Sequence, residues 1–134
     1  MTPRRIVVIN DSADFLDTVT EVLGEAGHRV SGHGGDQLTA DDIAAMAPDL
    51  VILDLVLRHR ELAAGWDLLV LIRSHPDLAT VPLIVCSGDV AQLRKRETEL
   101  ATIANTHVLP KPFTLDRLEA VVDEALGDAK REAS

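Results

Sequence analysis

Two carboxylates, a hydroxyl and an amine stand just past four apolar runs of this 134-residue chain. Asn10-Asp11 follows Ile6-Val7-Val8-Ile9, and Asp54 follows Leu50-Val51-Ile52-Leu53. Ser87 follows Leu83-Ile84-Val85-Cys86, and His107-Val108-Leu109 leads through Pro110 to Lys111. Carboxylates held close repel one another, and burying both as anions is costly unless a cation neutralises them. Hard oxygen donors, with no Cys or His at metal-ligand spacing, favour magnesium over zinc. The backbone carbonyl of Val56 and several waters would complete an octahedron and leave one position for an oxygen of an incoming phosphoryl group. A lysine and a hydroxyl flanking a bound anion are what phosphoryl transfer requires. Asp54 is then the nucleophile, because a carboxylate can accept a phosphoryl group as an aspartyl phosphate.

The elements that must position these residues are legible around them. Near-continuous Val, Ile and Leu without alternation marks strands buried on both faces, as in a parallel sheet covered by helices. Ser12 caps a helix whose Phe15, Leu16, Val19, Val22, Leu23 and Ala26 form one apolar stripe, and Gly27 is placed to end it. Arg29-Val30-Ser31 is a weak second strand. Thr39 with Asp42 resembles a capping box, and Leu38 with Ile43 a hydrophobic staple, for a short helix that stops at Pro48. A third helix begins at Gly65 with Leu68, Leu69 and Ile72 inward, and the segment from Gln92 to Glu97 starts a largely solvated helix. Thr114 caps the last helix, where Leu115, Leu118, Val121, Val122, Ala125 and Leu126 pack inward before Gly127 stops it. Five strand–helix repeats demand right-handed crossovers and an α/β fold: a flavodoxin-like, doubly wound, five-stranded parallel sheet of order 2-1-3-4-5, with helices on both faces. Its switch point lies between the first and third strands, so Asp11 and Asp54 are expected to face each other across the crevice at the carboxyl edge.

One compact domain is expected over residues 1–127, with 128–134 as a flexible C-terminal tail. No apolar stretch approaches the roughly 20 residues needed to span a bilayer, and the start lacks a secretory segment, so the expectation is a cytoplasmic protein without membrane insertion. A formal net charge of -9 opposes direct nucleic-acid binding, which needs clustered Lys and Arg. Cys86, the only cysteine, falls inside a core strand and reads as a buried structural thiol. The last helices offer a surface for a homodimer.

From Ile6 to Leu126 these residues resemble the receiver domain of two-component response regulators. The likeness rests on Asn10-Asp11 after the first strand, Asp54 after the third, Ser87-Gly88 after the fourth and Lys111-Pro112-Phe113 after the fifth, in that order. It implies that Asp54 takes a phosphoryl group from a phosphohistidine on a sensor histidine kinase or histidine phosphotransfer protein, with magnesium as cofactor. It further implies that Asp11 ligates the metal, that Lys111 pairs with the phosphoryl group, that Ser87 hydrogen-bonds it, and that Gly88 leaves access. A stand-alone receiver is expected, passing its signal to a downstream protein by contact and catalysing only its own phosphorylation and dephosphorylation. Asn10 stands where receivers usually carry an acid, and is expected to hydrogen-bond a metal-bound water. Val108 stands where an aromatic residue usually swings inward, which leaves the loop from Ser87 to Ala91 as the switching element. The loop Arg58–Ala64 is about three residues longer than the family pattern, and reads as an exposed charged segment.

Taken singly, each residue has a plainer reading. An Asp after a strand is more often a helix cap, Ser87-Gly88-Asp89 a turn, and Lys111 a solvated side chain. All four at one sheet edge outweigh those readings. A degenerate receiver, acting as a phosphorylation-independent interaction module, draws support from Asn10 and Val108 and is opposed by Asp54 and Lys111. A flavin carrier would need a phosphate-cradling loop where this chain has acidic Asn10-Asp11-Ser12-Ala13-Asp14. An aspartate-nucleophile phosphatase would want a second acid at Val56.

Overall fold

The computed structural model describes residues 4–34, 38–55, 64–87, 94–95, 98–100, 102–103, 105–111 and 113–133. Val56, Arg58, His59, Arg60, Gly88, Asp89, Gln92 and Pro112 lie outside these residues, as does the side chain of Ser87.

In chain order the elements are β1 (Arg5–Ile9), α1 (Ala13–Glu25), β2 (Arg29–His33), α2 (Ala40–Ala45), β3 (Leu50–Asp54), α3 (Ala64–Ser74), β4 (Leu83–Ser87), β5 (Thr106–Pro110) and α4 (Leu115–Ala133). Helical turns at 94–95 and 98–100 lie between β4 and β5. The strands form one parallel sheet in the expected order β2-β1-β3-β4-β5. No helix among the described residues is long and apolar enough to cross a membrane.

Side chains alternate across a strand with a period of two, and that parity sorts the core into two layers. Ile6, Val8, Leu50, Ile52, Ile84, Cys86 and Leu109 pack with Val19 and Leu23 of α1 and with Leu118, Val121, Val122 and Ala125 of α4. Val7, Ile9, Val51, Leu53, Leu83 and Val85 pack on the opposite face with Ile43 of α2, Leu68, Leu69 and Ile72 of α3, and Leu100. Both faces of the central strands are therefore dry, which is why their sequences do not alternate.

The helix ends follow from local chemistry. The Ser12 side chain accepts from the Phe15 N–H, and Gly27, at φ +98, closes α1 in the left-handed region. Thr39 and Asp42 form the reciprocal capping box of α2. The Thr114 hydroxyl accepts from the Arg117 N–H at the start of α4.

Three features differ from the sequence reading. The second strand runs on to His33, in register with Ile9, because pairing with β1 supplies backbone bonds that Ser31-Gly32-His33 would not earn by propensity. Gly127 does not stop α4: the helix continues to Ala133, so the stretch expected as a tail is helical almost to its end. Residues 128–133 are Asp, Ala, Lys, Arg, Glu and Ala, mostly strong helix formers that outweigh the roughly 1 kcal/mol cost of one glycine. Leu115, expected inward, is exposed, since it occupies the first turn of α4 before the inward stripe begins at Leu118.

Candidate functional site

The carboxyl ends of β1, β3, β4 and β5 meet along one edge, as the parallel register requires. The same parity that sorts the core places the site. Asn10 continues Ile6 and Val8, Asp54 continues Leu50 and Ile52, and Lys111 continues Leu109, so all three fall on the α1–α4 side of the sheet. Asp54 pairs in register with Cys86 of that face.

Asp54 and Asn10 are the polar residues buried among those described, at 6% and 3% exposure. A buried carboxylate must be answered by donors. Lys111 Nζ stands 2.7 Å from Asp54 Oδ2, and the Asn10 Nδ2–H donates to the same oxygen at 2.9 Å. Asn10 Oδ1 accepts from the Ser12 N–H at 2.8 Å, while the Asn10 backbone N–H donates to the His33 carbonyl at 3.0 Å. Asn10 thus ties the acceptor carboxylate to the cap of α1 and to the end of β2. The sequence reading gave this amide to a metal-bound water. In the structure it donates to Asp54 itself, because adjacent strands in register bring the two side chains together on one face.

Asp11 has the opposite parity to Asn10 and is partly buried. A Cβ built on Gly34, just past β2, would lie 3.6 Å from Asp11 Oδ1, an ordinary contact distance. Asp11 and Asp54 come from the ends of the neighbouring strands β1 and β3. Ser87 closes β4 opposite Pro110, which puts its backbone at the same edge. Val56 and Gly88 are outside the described residues.

Two aromatic residues enter the site that the spacing of polar residues did not mark. The Lys111 ammonium lies over the Phe15 ring, 4.8 Å from its centroid, and Phe15 meets Phe113 edge to face at 6.0 Å and 84°. Phe15 was legible only as the first member of the α1 stripe. Its relation to Lys111 depends on how β5 ends beside α1, which no local pattern encodes.

Cys86 pairs in register with Asp54 on the adjacent strand. Burial pushes its thiol up to about 12, offset in part by Lys111 and reinforced by Asp54. A thiol that stays protonated in the folded protein but ionises near its ordinary value of 9.0 when unfolded opposes folding as the pH rises above that value. Wild-type stability is expected to fall by about 1.4 kcal/mol more per pH unit above pH ~9 than that of Cys86→Ala. Thermal melts of both proteins between pH 8 and pH 10 (roughly the window set by that value) measure it; parallel curves would refute a buried, protonated thiol.

Comparison with known proteins bears on the fold and the family. The model of the response regulator receiver domain matches residues 6–123. The nitrogen assimilation regulatory protein NtrX of Azorhizobium caulinodans is 31% identical over 124 residues, covering 90% of this chain and 26% of that protein. The transcriptional regulatory protein PdtaR of Mycobacterium tuberculosis is 29% identical over 126 residues, covering 92% of this chain and 57% of that protein. The chain thus spans between about a quarter and just over half of these relatives. The crystal structure of NtrX from Brucella abortus superposes with a TM-score of 0.76 at 30% identity, over 98% of this chain and 28% of that one. A CheY-like receiver domain protein from Methanospirillum hungatei shares the fold, with a TM-score of 0.75 at 22% identity and near-complete coverage of both chains. The match from β1 into α4 takes in every strand end that carries Asn10, Asp11, Asp54, Ser87 and Lys111, and this chain belongs to the response regulator receiver domain family.

Proposed function

We propose that this domain accepts a phosphoryl group on Asp54 from a phosphohistidine of a sensor histidine kinase or histidine phosphotransfer protein, and signals by contact with a downstream protein. The observation that carries the reading is one buried carboxylate oxygen met by both the Lys111 ammonium and the Asn10 amide, at the ligand-binding edge of the sheet. In the transfer, a carboxylate oxygen of Asp54 attacks phosphorus and an O–P bond forms as the N–P bond breaks. The electron pair leaves on the imidazole nitrogen, which takes up a proton. Lys111, already beside the nucleophile, moves little to meet the arriving phosphoryl oxygens, and Ser87 at the end of β4 supplies a hydroxyl to them.

The residues fit a magnesium-class ion. Asp11 and Asp54 offer carboxylate oxygens from neighbouring strand ends, and among the described residues no three His, Cys, Asp or Glu side chains gather into a metal cage. Magnesium is held by one or two carboxylates and its own waters, so this donor set suits it. Asp11, Asp54 and the Val56 carbonyl would hold it, with the Asn10 amide beside its water shell; when bound, it neutralises charge on the transferring group. Because both carboxylates take part, loading and phosphorylation are expected to depend on each other. The family is a signalling one, and its chemistry here is confined to forming and losing the acyl phosphate. A cytoplasmic setting, where such kinases present their phosphohistidine, follows from the same reading.

Intact-mass measurement tests it. With acetyl phosphate and magnesium, the wild-type protein is expected to gain the mass of one phosphoryl group, and peptide mapping to place it on Asp54. Correctly folded protein that gains nothing with either a small donor or a phosphorylated kinase would remove the proposal and favour the interaction-module reading.

A further inference from the structure

We infer that Phe15 is a positioning residue for Lys111: its ring face holds the ammonium against Asp54, and Phe113 holds the ring. The inference rests on the phospho-accepting reading and extends it to a side chain that has no polar atom. Three distances define the arrangement. Lys111 Nζ is 2.7 Å from Asp54 Oδ2 and 4.8 Å from the Phe15 centroid, and the Phe113 centroid is 6.0 Å from that of Phe15 in a T-shaped pair.

A lysine on a flexible four-carbon stem loses rotamer freedom when it is aimed at one oxygen. Its side chain is 28% exposed here, so water competes for the ammonium. The negative face of an aromatic ring offers a second attraction that costs little desolvation and leaves the donors of the ammonium directed at the carboxylate. Phe15 is itself fixed from two sides. Its backbone N–H donates to the Ser12 cap at 3.3 Å, and Ser12 donates its own N–H to Asn10, the residue that bonds Asp54. The ring and the carboxylate therefore share one rigid frame. Phe113 meets Phe15 at an interplanar angle of 84°, a T-shaped arrangement that aromatic pairs prefer.

The two phenylalanines and the lysine line a groove of about 580 Å3 between α1 and the start of α4, together with Asp14, Thr18 and Leu115. That groove gives room for a larger ring at position 15, which makes a chemical test practicable. Phe15→Tyr keeps the aromatic face. Phe15→Leu keeps apolar bulk and removes the face.

Two readouts are compared in wild type, Phe15→Tyr and Phe15→Leu, with folded fraction checked by circular dichroism. The first is the proton shift of the Lys111 ε-methylene in lysine-labelled, metal-free protein. Ring current is expected to move it upfield in wild type and Phe15→Tyr and to leave it near the free-lysine position in Phe15→Leu. The second is the rate of phosphoryl uptake from acetyl phosphate and magnesium, per folded molecule. Loss of the face is expected to slow uptake by about 3- to 30-fold, with Phe15→Tyr close to wild type. Leucine equal to wild type in rate, or a wild-type ε-methylene without an upfield shift, overturns the inference. Should wild type take up no phosphoryl group, the reading of Asp54 falls instead, and the lysine shifts still decide whether the ring holds the cation.

Discussion

Asp54→Asn protein is expected to take up no phosphoryl group under conditions where wild type takes up one, and Lys111→Met to take it up on the order of 100-fold more slowly. The first loss is absolute because the amide has no nucleophilic oxygen anion to offer phosphorus. The second follows from removing a preorganised cation, since phosphoryl transfer is governed by positioning and charge neutralisation. The two substitutions differ in stability as well. Lys111→Met takes the cation 2.7 Å away from a buried carboxylate, and a cost of about 1–3 kcal/mol is expected in metal-free protein. For Asp54→Asn the terms oppose each other. Relief of repulsion with Asp11 alone would stabilise the apo protein, but the structure places Lys111 2.7 Å from the charge being removed. Loss of that pair cancels much of the gain, so a melting temperature close to wild type is expected. Intact-mass time courses and thermal melts on the same three proteins check both parts. Uptake by Asp54→Asn at the wild-type rate would move the acceptor elsewhere.

Arg73→Met is expected to destabilise the domain by about 2–4 kcal/mol, a fall in melting temperature on the order of 10 °C. Arg73 ends α3 and has no carboxylate beside it among the described residues. Its guanidinium donates instead to the Leu78 and Val81 carbonyls at 3.0 and 2.7 Å, to the Asn105 carbonyl at 3.0 Å, and to the Thr106 hydroxyl at 3.4 Å. Burial pushes its pKa down, yet an arginine remains charged, so the cation must be held by dipoles. These bonds join the end of α3, the turn before β4 and the start of β5. Asn105 lies at φ 58, in the left-handed region, and the Arg73 bond to its carbonyl helps fix that turn. Methionine keeps the apolar stem and removes every donor. Arg73→Lys keeps the charge but not the planar fork, and is expected to fall between. Denaturant unfolding at equal slope measures the difference; a loss below about 1 kcal/mol would show that water replaces the fork freely.

Two features stated from sequence gained their meaning only from partners. Ser12 is a helix cap by residue type alone, but in the fold its N–H also anchors Asn10. Val108, which stands in place of an aromatic residue, is 37% exposed on the face opposite Leu109. A switch in this domain therefore does not operate by burying a ring at that position.

The sequence by itself determined the strands, the sheet order and the identity of the polar residues at its edge. Those features depend on local runs, caps and a period of two, all of which are short-range and written along the chain. Tertiary structure alone decided that Asn10 bonds Asp54, that Phe15 lies under Lys111, and that Arg73 binds four groups 5 to 33 residues away. Contacts of this kind depend on which strand ends become neighbours and how far apart they stand, quantities fixed only when both faces of the sheet have packed.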